Sequence, residues 1–364
     1  MKKLLLATAI AALSVSAANA APTLYGKAFV TVDYVNAELE AQNFDNTIRV
    51  NEDSDSVQIN SNVSRLGFKG SEAITANTDV IYQLEYGISI DDTGEDNIAF
   101  KSRDTYLGLK NKDYGEFRFG RNYSVTDYIN NVTVNEGYWD NIGASSLKED
   151  TLANALTLTD GDRVNNSIVW IAPKYNGLPL EFALQYGADE TFVSDNDDRD
   201  SGYGASLMYN ANTGFTAGIA YDKDMTIAGD ILRGSVTADL GKYVAYPVTL
   251  GALYQKADFD GRDEEKGLVL SAEMGLTNFA RPASVYLQYD KTQNLAGLTD
   301  NDSDQIVLGG KYMFKDNMIA HAYVGKNSAD LENGLFLVND QNDVIAARGD
   351  ADVFAIGGGL EYIF

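Results

Sequence analysis

The most regular feature of the chain is an alternation of apolar and polar residues with a period of two. In the segment 79–91 the apolar positions are Val80, Tyr82, Leu84, Tyr86, Ile88 and Ile90. Because successive side chains of a β-strand point to opposite faces, each such segment has one apolar and one polar face. Similar segments lie at 24–36, 57–70, 98–110, 114–123, 163–175, 178–187, 203–210, 215–222, 231–240, 248–255, 268–275, 284–290, 305–314, 318–325 and 353–364. The pattern therefore predicts about sixteen strands, each of about ten residues.

The predicted connections between these strands alternate between short and long. Short connections lie at 111–113, 176–177, 212–214 and 315–317, and long ones lie at 37–55, 124–162, 188–201, 291–303 and 327–350. Such alternation predicts an all-β, up-and-down antiparallel meander with two unlike ends.

Two architectures can use this meander: a soluble β-sandwich and a transmembrane β-barrel. Strands of about ten residues match a tilted crossing of a thin hydrocarbon layer, and aromatic residues lie near the ends of many apolar faces, as an interfacial girdle requires. The opposite faces carry charged and amide side chains, which a dry sandwich core would accept only in pairs. Closure into a barrel also removes the unpaired strand edges that lipid does not tolerate. These features favour the barrel, and about sixteen strands leave an open aqueous lumen.

Composition excludes several classes of function. The chain has no Cys and a single His, His321, so it holds neither a thiolate zinc site nor a multi-histidine metal cage. We expect His321 to be a lumen-facing wall residue, and we expect no enzyme activity, cofactor or metal. The net charge of −25 argues against nucleic acid as a partner, because phosphate binding needs clustered basic residues.

The first twenty residues have the features of a secretory signal peptide. Lys2 and Lys3 precede an apolar run at 4–13, and small residues flank a cleavage position after Ala20. A membrane anchor is the alternative, but the run is shorter than the ~20 residues that span a bilayer. We therefore expect a mature chain at 21–364 that forms one barrel domain. Without the two lysines it has 26 basic and 53 acidic residues, a net charge of −27.

Four stretches resemble the Gram-negative general diffusion porins. They are LYGKAF at 24–29, SRLGFKGSE at 64–72, the run from YLGLK at 106–110 through YGEF to FGRNY at 119–123, and the terminal EYIF at 361–364. The second and third motifs are the most specific. The resemblance implies a homotrimer of sixteen-stranded barrels in the outer membrane, in contact with lipid and lipopolysaccharide. It also implies that a long loop, here about 124–162, folds into the lumen, and that Phe364 is the C-terminal assembly signal.

The resemblance further implies a cluster of basic residues on the barrel wall that faces acidic residues on this loop. The predicted wall residues are Lys27, Arg65, Lys69, Lys101, Arg103 and Arg163. The predicted loop residues are Asp127, Glu136 and Asp140, where Glu136 follows Asn135 rather than the proline of the family. A transverse field between the two sets would orient solutes and separate the paths of cations and anions. Arg121 and Glu95 are predicted trimer contacts.

Strand parity conflicts with this picture at two places. Val57 and Ile59 share a face with Arg65, which calls for a bulge or a buried contact between subunits. By the parity that turns Arg103 inward, Asp104 points outward.

The function that follows is passive diffusion of small hydrophilic solutes and ions, with a mild preference for cations because the chain is acidic. Two alternatives remain open. One is a channel specific for sugars or peptides, with Tyr128, Tyr138 and Trp139 as stacking residues. The other is an adhesin displayed on a barrel.

Overall fold

The computed structural model describes residues 21–91, 100–140, 156–175, 177–188, 201–338 and 343–364. The predicted signal peptide at 1–20 and Glu95 lie outside the described residues. The strands are β1 (Thr23–Asn43), β2 (Arg49–Ser61), β3 (Arg65–Ala73), β4 (Thr78–Ile88), β5 (Phe100–Asn111), β6 (Gly115–Tyr123), β7 (Arg163–Ile171), β8 (Leu180–Gly187), β9 (Gly202–Asn210), β10 (Phe215–Lys223), β11 (Gly229–Asp239), β12 (Val248–Phe259), β13 (Glu264–Leu276), β14 (Ala283–Gln293), β15 (Asn301–Lys315), β16 (Met318–Val338) and β17 (Val344–Ile363). Four short 3₁₀ turns occur in the described part, at Asp127–Ile129, Gly137–Trp139, Leu240–Lys242 and Leu295–Gly297.

All strands belong to one antiparallel sheet that closes on itself. From β3 to β17 each strand pairs with its neighbour in sequence, and β1 pairs with β17 from Lys27↔Ile363 to Asn43↔Ala347. Both β2 and β3 pair with β1, so they are two halves of one wall strand. The protein is therefore a closed sixteen-stranded antiparallel β-barrel, which confirms the predicted fold class.

The parity conflict of the second wall strand is explained by a break between its halves. Val63, between β2 and β3, has a positive φ of 43°, and the Ser64 side chain turns back to the backbone of Phe29. Val57 and Ile59 are exposed on the outer face, whereas Arg65 reaches the carboxylate of Glu85 inside the barrel. A backbone break thus lets apolar residues and an arginine of the same parity lie on opposite faces.

The prediction of long connections at 37–55 and 327–350 is wrong, because most of these residues lie in strands. β1 ends only at Asn43 and β2 already begins at Arg49. In the same way, β16 ends at Val338 and β17 begins at Val344. In the extension of β2 both faces are polar. In the extension of β1 the apolar residues Ala37 and Leu39 pack against the buried cluster inside the barrel, while Glu38 and Glu40 on the other face are exposed. Backbone pairing between β17, β1 and β2 continues through these extensions.

The two faces of the barrel differ as a membrane protein requires. Large apolar side chains such as Ile219, Leu308 and Leu360 are more than half exposed on the outer face. Polar side chains such as Gln255 and Gln288 point inward and are fully buried beneath a loop inside the barrel. The described residues contain no helix that is long and apolar enough to cross a membrane.

Candidate functional site

The described parts of the segment between β6 and β7, residues 124–140 and 156–162, lie inside the barrel and follow the inner wall. Wall side chains hold its backbone in strand order: Gln185 of β8, Ser235 of β11, Ser271 of β13 and Gln288 of β14 bind at residues 125, 129, 132 and 134. The described part of this loop therefore covers the wall from β8 towards β17. The opening that remains lies between the loop and the wall formed by β1 and β3–β7.

The returning limb of the loop is held by a buried ionic contact. Arg233 of β11 is completely buried and forms an ion pair with Asp160, and its Nε donates to Gln255 at 2.8 Å. Glu265 of β13 accepts hydrogen bonds from the backbone and hydroxyl of Thr159 at 2.8 and 3.1 Å. Because breaking a buried pair leaves an uncompensated charge, this anchor fixes the limb firmly.

The tip of the loop docks on the wall at β15–β17. Trp139 is fully buried, and its indole Nε1 donates to the carbonyl oxygen of Ala355 at 3.3 Å. The backbone N–H of Tyr138 donates to the hydroxyl of Tyr323 at 3.0 Å. Gly137 has a φ of +64°, and a β-carbon there would collide with the same hydroxyl, so only glycine fits this position.

The loop carboxylates face different surroundings. Glu136 forms an ion pair with Lys311 of β15 at 3.0 Å. Asp140 is exposed to the lumen, yet the wall and loop around it displace bulk water. This confinement, together with the charge of Glu136, raises the pKa of Asp140 to about 6. Burial and the neighbouring Asp160 raise the pKa of Asp127 well above its ordinary value.

On the opposite wall, Glu85 of β4 lies between two of the predicted arginines. Its Oε1 is 2.9 Å from Nε of Arg103, and its Oε2 is 3.9 Å from Nε of Arg65. The hydroxyl of Tyr25 also donates to Glu85, at 3.1 Å. One wall carboxylate thus offsets part of the charge of two wall arginines.

Asp104 was expected to point outward, and this expectation is wrong. Leu84 pairs with Thr105 while Tyr86 pairs with Ser102, so both residues 103 and 104 stand opposite Glu85. Such a bulge breaks the alternation. Asp104 is buried and lies 3.9 Å from Nε of Arg163.

Arg163 lies in the basic cluster, but the regular inside–outside alternation of β7 is interrupted next to it. Regular alternation along β7 would place Val164 on the outer face with Ile168, but Val164 is fully buried against Val125 of the loop, and Asn166 has a positive φ of 51°. The Arg163 guanidinium stacks on the ring of Tyr123 at 4.1 Å and pairs with Asp162 at 2.6 Å.

The remaining predicted residues are more dispersed. Lys27 pairs with Glu361 at 3.5 Å, near the loop tip. Lys69 is exposed and its ammonium lies 4.8 Å from the ring of Tyr25. Lys101 is exposed on β5, opposite Gly87.

Arg121 lies where the register of β6 against β7 shifts. It contacts Asp162 at 3.8 Å and donates to Asn165, so it shares a carboxylate with Arg163. Its role in a subunit contact stays a prediction. Phe364 exchanges backbone hydrogen bonds of 2.9 and 3.1 Å with Gly26 where the barrel closes, and its role as an assembly signal also stays a prediction.

Arg118 is a wall arginine that the sequence analysis missed. It pairs with Glu116 at 2.6 Å and stacks on Tyr106 at 4.7 Å. Alternation could have identified it, because Phe117 and Phe119 on either side share the outward face.

An aqueous barrel narrowed by an internal loop and lined by paired charges defines a diffusion channel rather than a catalytic centre. The sequence matches the family model described as Gram-negative porin over residues 7–331. The chain belongs to this family of non-enzymatic outer-membrane channels.

Individual relatives agree with this assignment. Outer membrane porin N of Escherichia coli K12 is 28% identical over 324 residues, covering 78% of this chain and 83% of that protein. Outer membrane protein Omp-EA of Erwinia amylovora is 27% identical and covers 92% and 86%. The solved anion-selective porin from Comamonas acidovorans has the same fold, with a TM-score of 0.67, 19% identity and coverage of 95% and 100%.

Proposed function

We propose that this porin is a homotrimeric channel for small hydrophilic solutes and ions, with a mild preference for cations. The observation that carries the preference is the position of Glu85 between Arg65 and Arg103. Carboxylates on the wall offset the wall arginines, whereas Asp140 presents a carboxylate to the lumen. The electrostatic potential along the path of an ion is therefore less positive than the number of wall arginines suggests.

We also propose a transverse electric field across the opening, between the loop carboxylates and the wall arginines. Glu136 is held by Lys311 on its own side of the lumen, so it contributes little charge across the opening. On the loop, Asp140 interacts electrostatically with Arg103, whereas the raised pKa of Asp127 reduces its negative charge. The proposed field is accordingly weaker than one between bare arginines and bare carboxylates.

The fold alone does not fix the sign of the selectivity. A solved porin of the same fold is named as anion-selective. The sign must therefore come from local charge pairs in this chain, which makes the Glu85 arrangement decisive for the proposal.

A sugar- or peptide-specific channel receives less support from the geometry. Trp139 is fully buried against the wall, and the half-buried Tyr138 packs edge-to-face on it at 5.3 Å. The buried Trp139 therefore presents no free ring face of the kind that stacking on a solute requires. We propose contact with lipid and lipopolysaccharide because the exposed apolar outer face must meet the membrane.

The proposal is tested by inserting the folded protein into a planar bilayer. We expect current steps in groups of three and a conductance that rises nearly linearly with salt, because the ions cross a water-filled path. Saturation of the conductance at low salt, or the absence of conductance, would contradict passive diffusion.

A further inference from the structure

Below the loop tip, three potential metal ligands from separate segments converge. They are Glu136 of the loop, His321 of β16 and Glu361 of β17, and one ligand atom from each lies within 4.8 Å of the others. Nε2 of His321 is 2.9 Å from Oε2 of Glu361. Sequence spacing gives no hint of this cluster, since its members are far apart along the chain.

The histidine is not satisfied by its present contacts. Its side chain is almost completely buried, the ring of Phe29 lies 4.6 Å away, and Nδ1 has no hydrogen-bond partner. A neutral imidazole carries one proton. With the proton on Nε2, the Nδ1 lone pair is left buried; with the proton on Nδ1, the Nε2 lone pair faces a carboxylate. A cation at Nε2 removes the repulsion in the second case.

The charges around the cluster are balanced by two lysines that can be displaced. Lys311 holds Glu136 at 3.0 Å and Lys27 holds Glu361 at 3.5 Å. Both are flexible point charges, so either ammonium can swing away when another cation arrives. Glu136 and Lys311 are each about one-fifth exposed, which gives an ion access from the lumen.

We propose that Glu136, His321 and Glu361 bind a divalent transition-metal ion such as Zn²⁺. One imidazole and two carboxylates suit zinc and similar ions, whereas Mg²⁺ prefers oxygen ligands and retains its waters. Donors bound to one tetrahedral zinc at about 2.1 Å stand about 3.4 Å apart. Small side-chain rotations would bring the present set to that spacing. The ion would tie the loop tip to β16 and β17.

The test is calorimetric titration of the full mature protein, folded in detergent, with ZnCl₂ at neutral pH. We expect one Zn²⁺ per chain. Glu136→Gln and His321→Gln should each weaken binding at least tenfold. Lys311→Met should strengthen binding severalfold, because it removes the competing ammonium.

Asp140→Asn is the matched control, since it removes the same charge from the same loop outside the ligand set. We expect a change in affinity below threefold. Equal weakening by Asp140→Asn, or unchanged binding in the folded His321→Gln protein, would overturn the proposal. Glu136→Gln lies on the loop and keeps the test valid if the buried His321 variant fails to fold. The heat of binding requires no ion flow, so this result is independent of the proposed channel function.

Discussion

Replacement of Glu85 by glutamine is the perturbation that most directly exposes the charge of the wall. The glutamine keeps the size of the side chain but removes the carboxylate that lies 2.9 Å from Arg103 and 3.9 Å from Arg65. Both guanidinium groups remain charged at every accessible pH. The wall therefore gains one full positive charge at the opening.

The size of the effect follows from Coulomb's law in the water-filled lumen. One charge at about 5 Å from the path of a monovalent ion contributes about 0.8 kcal/mol in water, which changes the ion's occupancy about fourfold. Cations are disfavoured and anions favoured by the same change. Screening reduces the effect at high salt, so it should be largest below about 0.1 M.

The assay is the reversal potential of the variant across a tenfold KCl gradient in a planar bilayer. We expect a shift towards anion preference, and no shift for the control Glu181→Gln, which makes the same change at an exposed pair with Lys174. An unchanged reversal potential in folded, conducting Glu85→Gln protein would refute the inference that Glu85 offsets the wall arginines.

Three further predictions concern the loop. Asp140 has a raised pKa of about 6, so it loses its negative charge as the pH falls through that value. The cation preference, measured by the reversal potential, should therefore decrease between pH 7 and pH 5. The Asp140→Asn variant should lack this part of the pH dependence. Gly137→Ala should undock the loop tip, because the positive φ alone costs about 1–2 kcal/mol and the added carbon meets Tyr323. The variant should then give noisier single-channel currents, and currents as quiet as those of the wild type would contradict this prediction. Asp160→Asn should cost about 3–5 kcal/mol, because it leaves the Arg233 charge buried without its partner; heat-denaturation gels measure this loss, and an unchanged melting point would count against the anchor.

The apolar belt of the barrel was predictable because lipid on one face and water on the other impose strict alternation. The extensions of β1, β2, β16 and β17 beyond the belt were not, because their outer faces meet water, and their apolar residues, such as Leu39 and Leu331, pack inside the barrel instead of facing lipid. The basic cluster was predictable by motif at Arg65 and Arg103.

The partners of these arginines were harder to predict. Asp104 depends on a bulge, and a bulge shifts parity without leaving a pattern in the sequence. The pairing of Glu136 with Lys311 depends on how the loop folds across the lumen. Loop conformation is set by wall contacts from distant strands, so spacing along the chain carries no information about it.

The sign of the wild-type reversal potential across a KCl gradient tests the central claim most directly. If wall carboxylates offset the wall arginines, potassium should permeate more readily than chloride, and the preference should weaken as salt screens the charges. A reversal potential that shows chloride preference at low salt would mean that the arginines dominate the opening, and it would contradict the account.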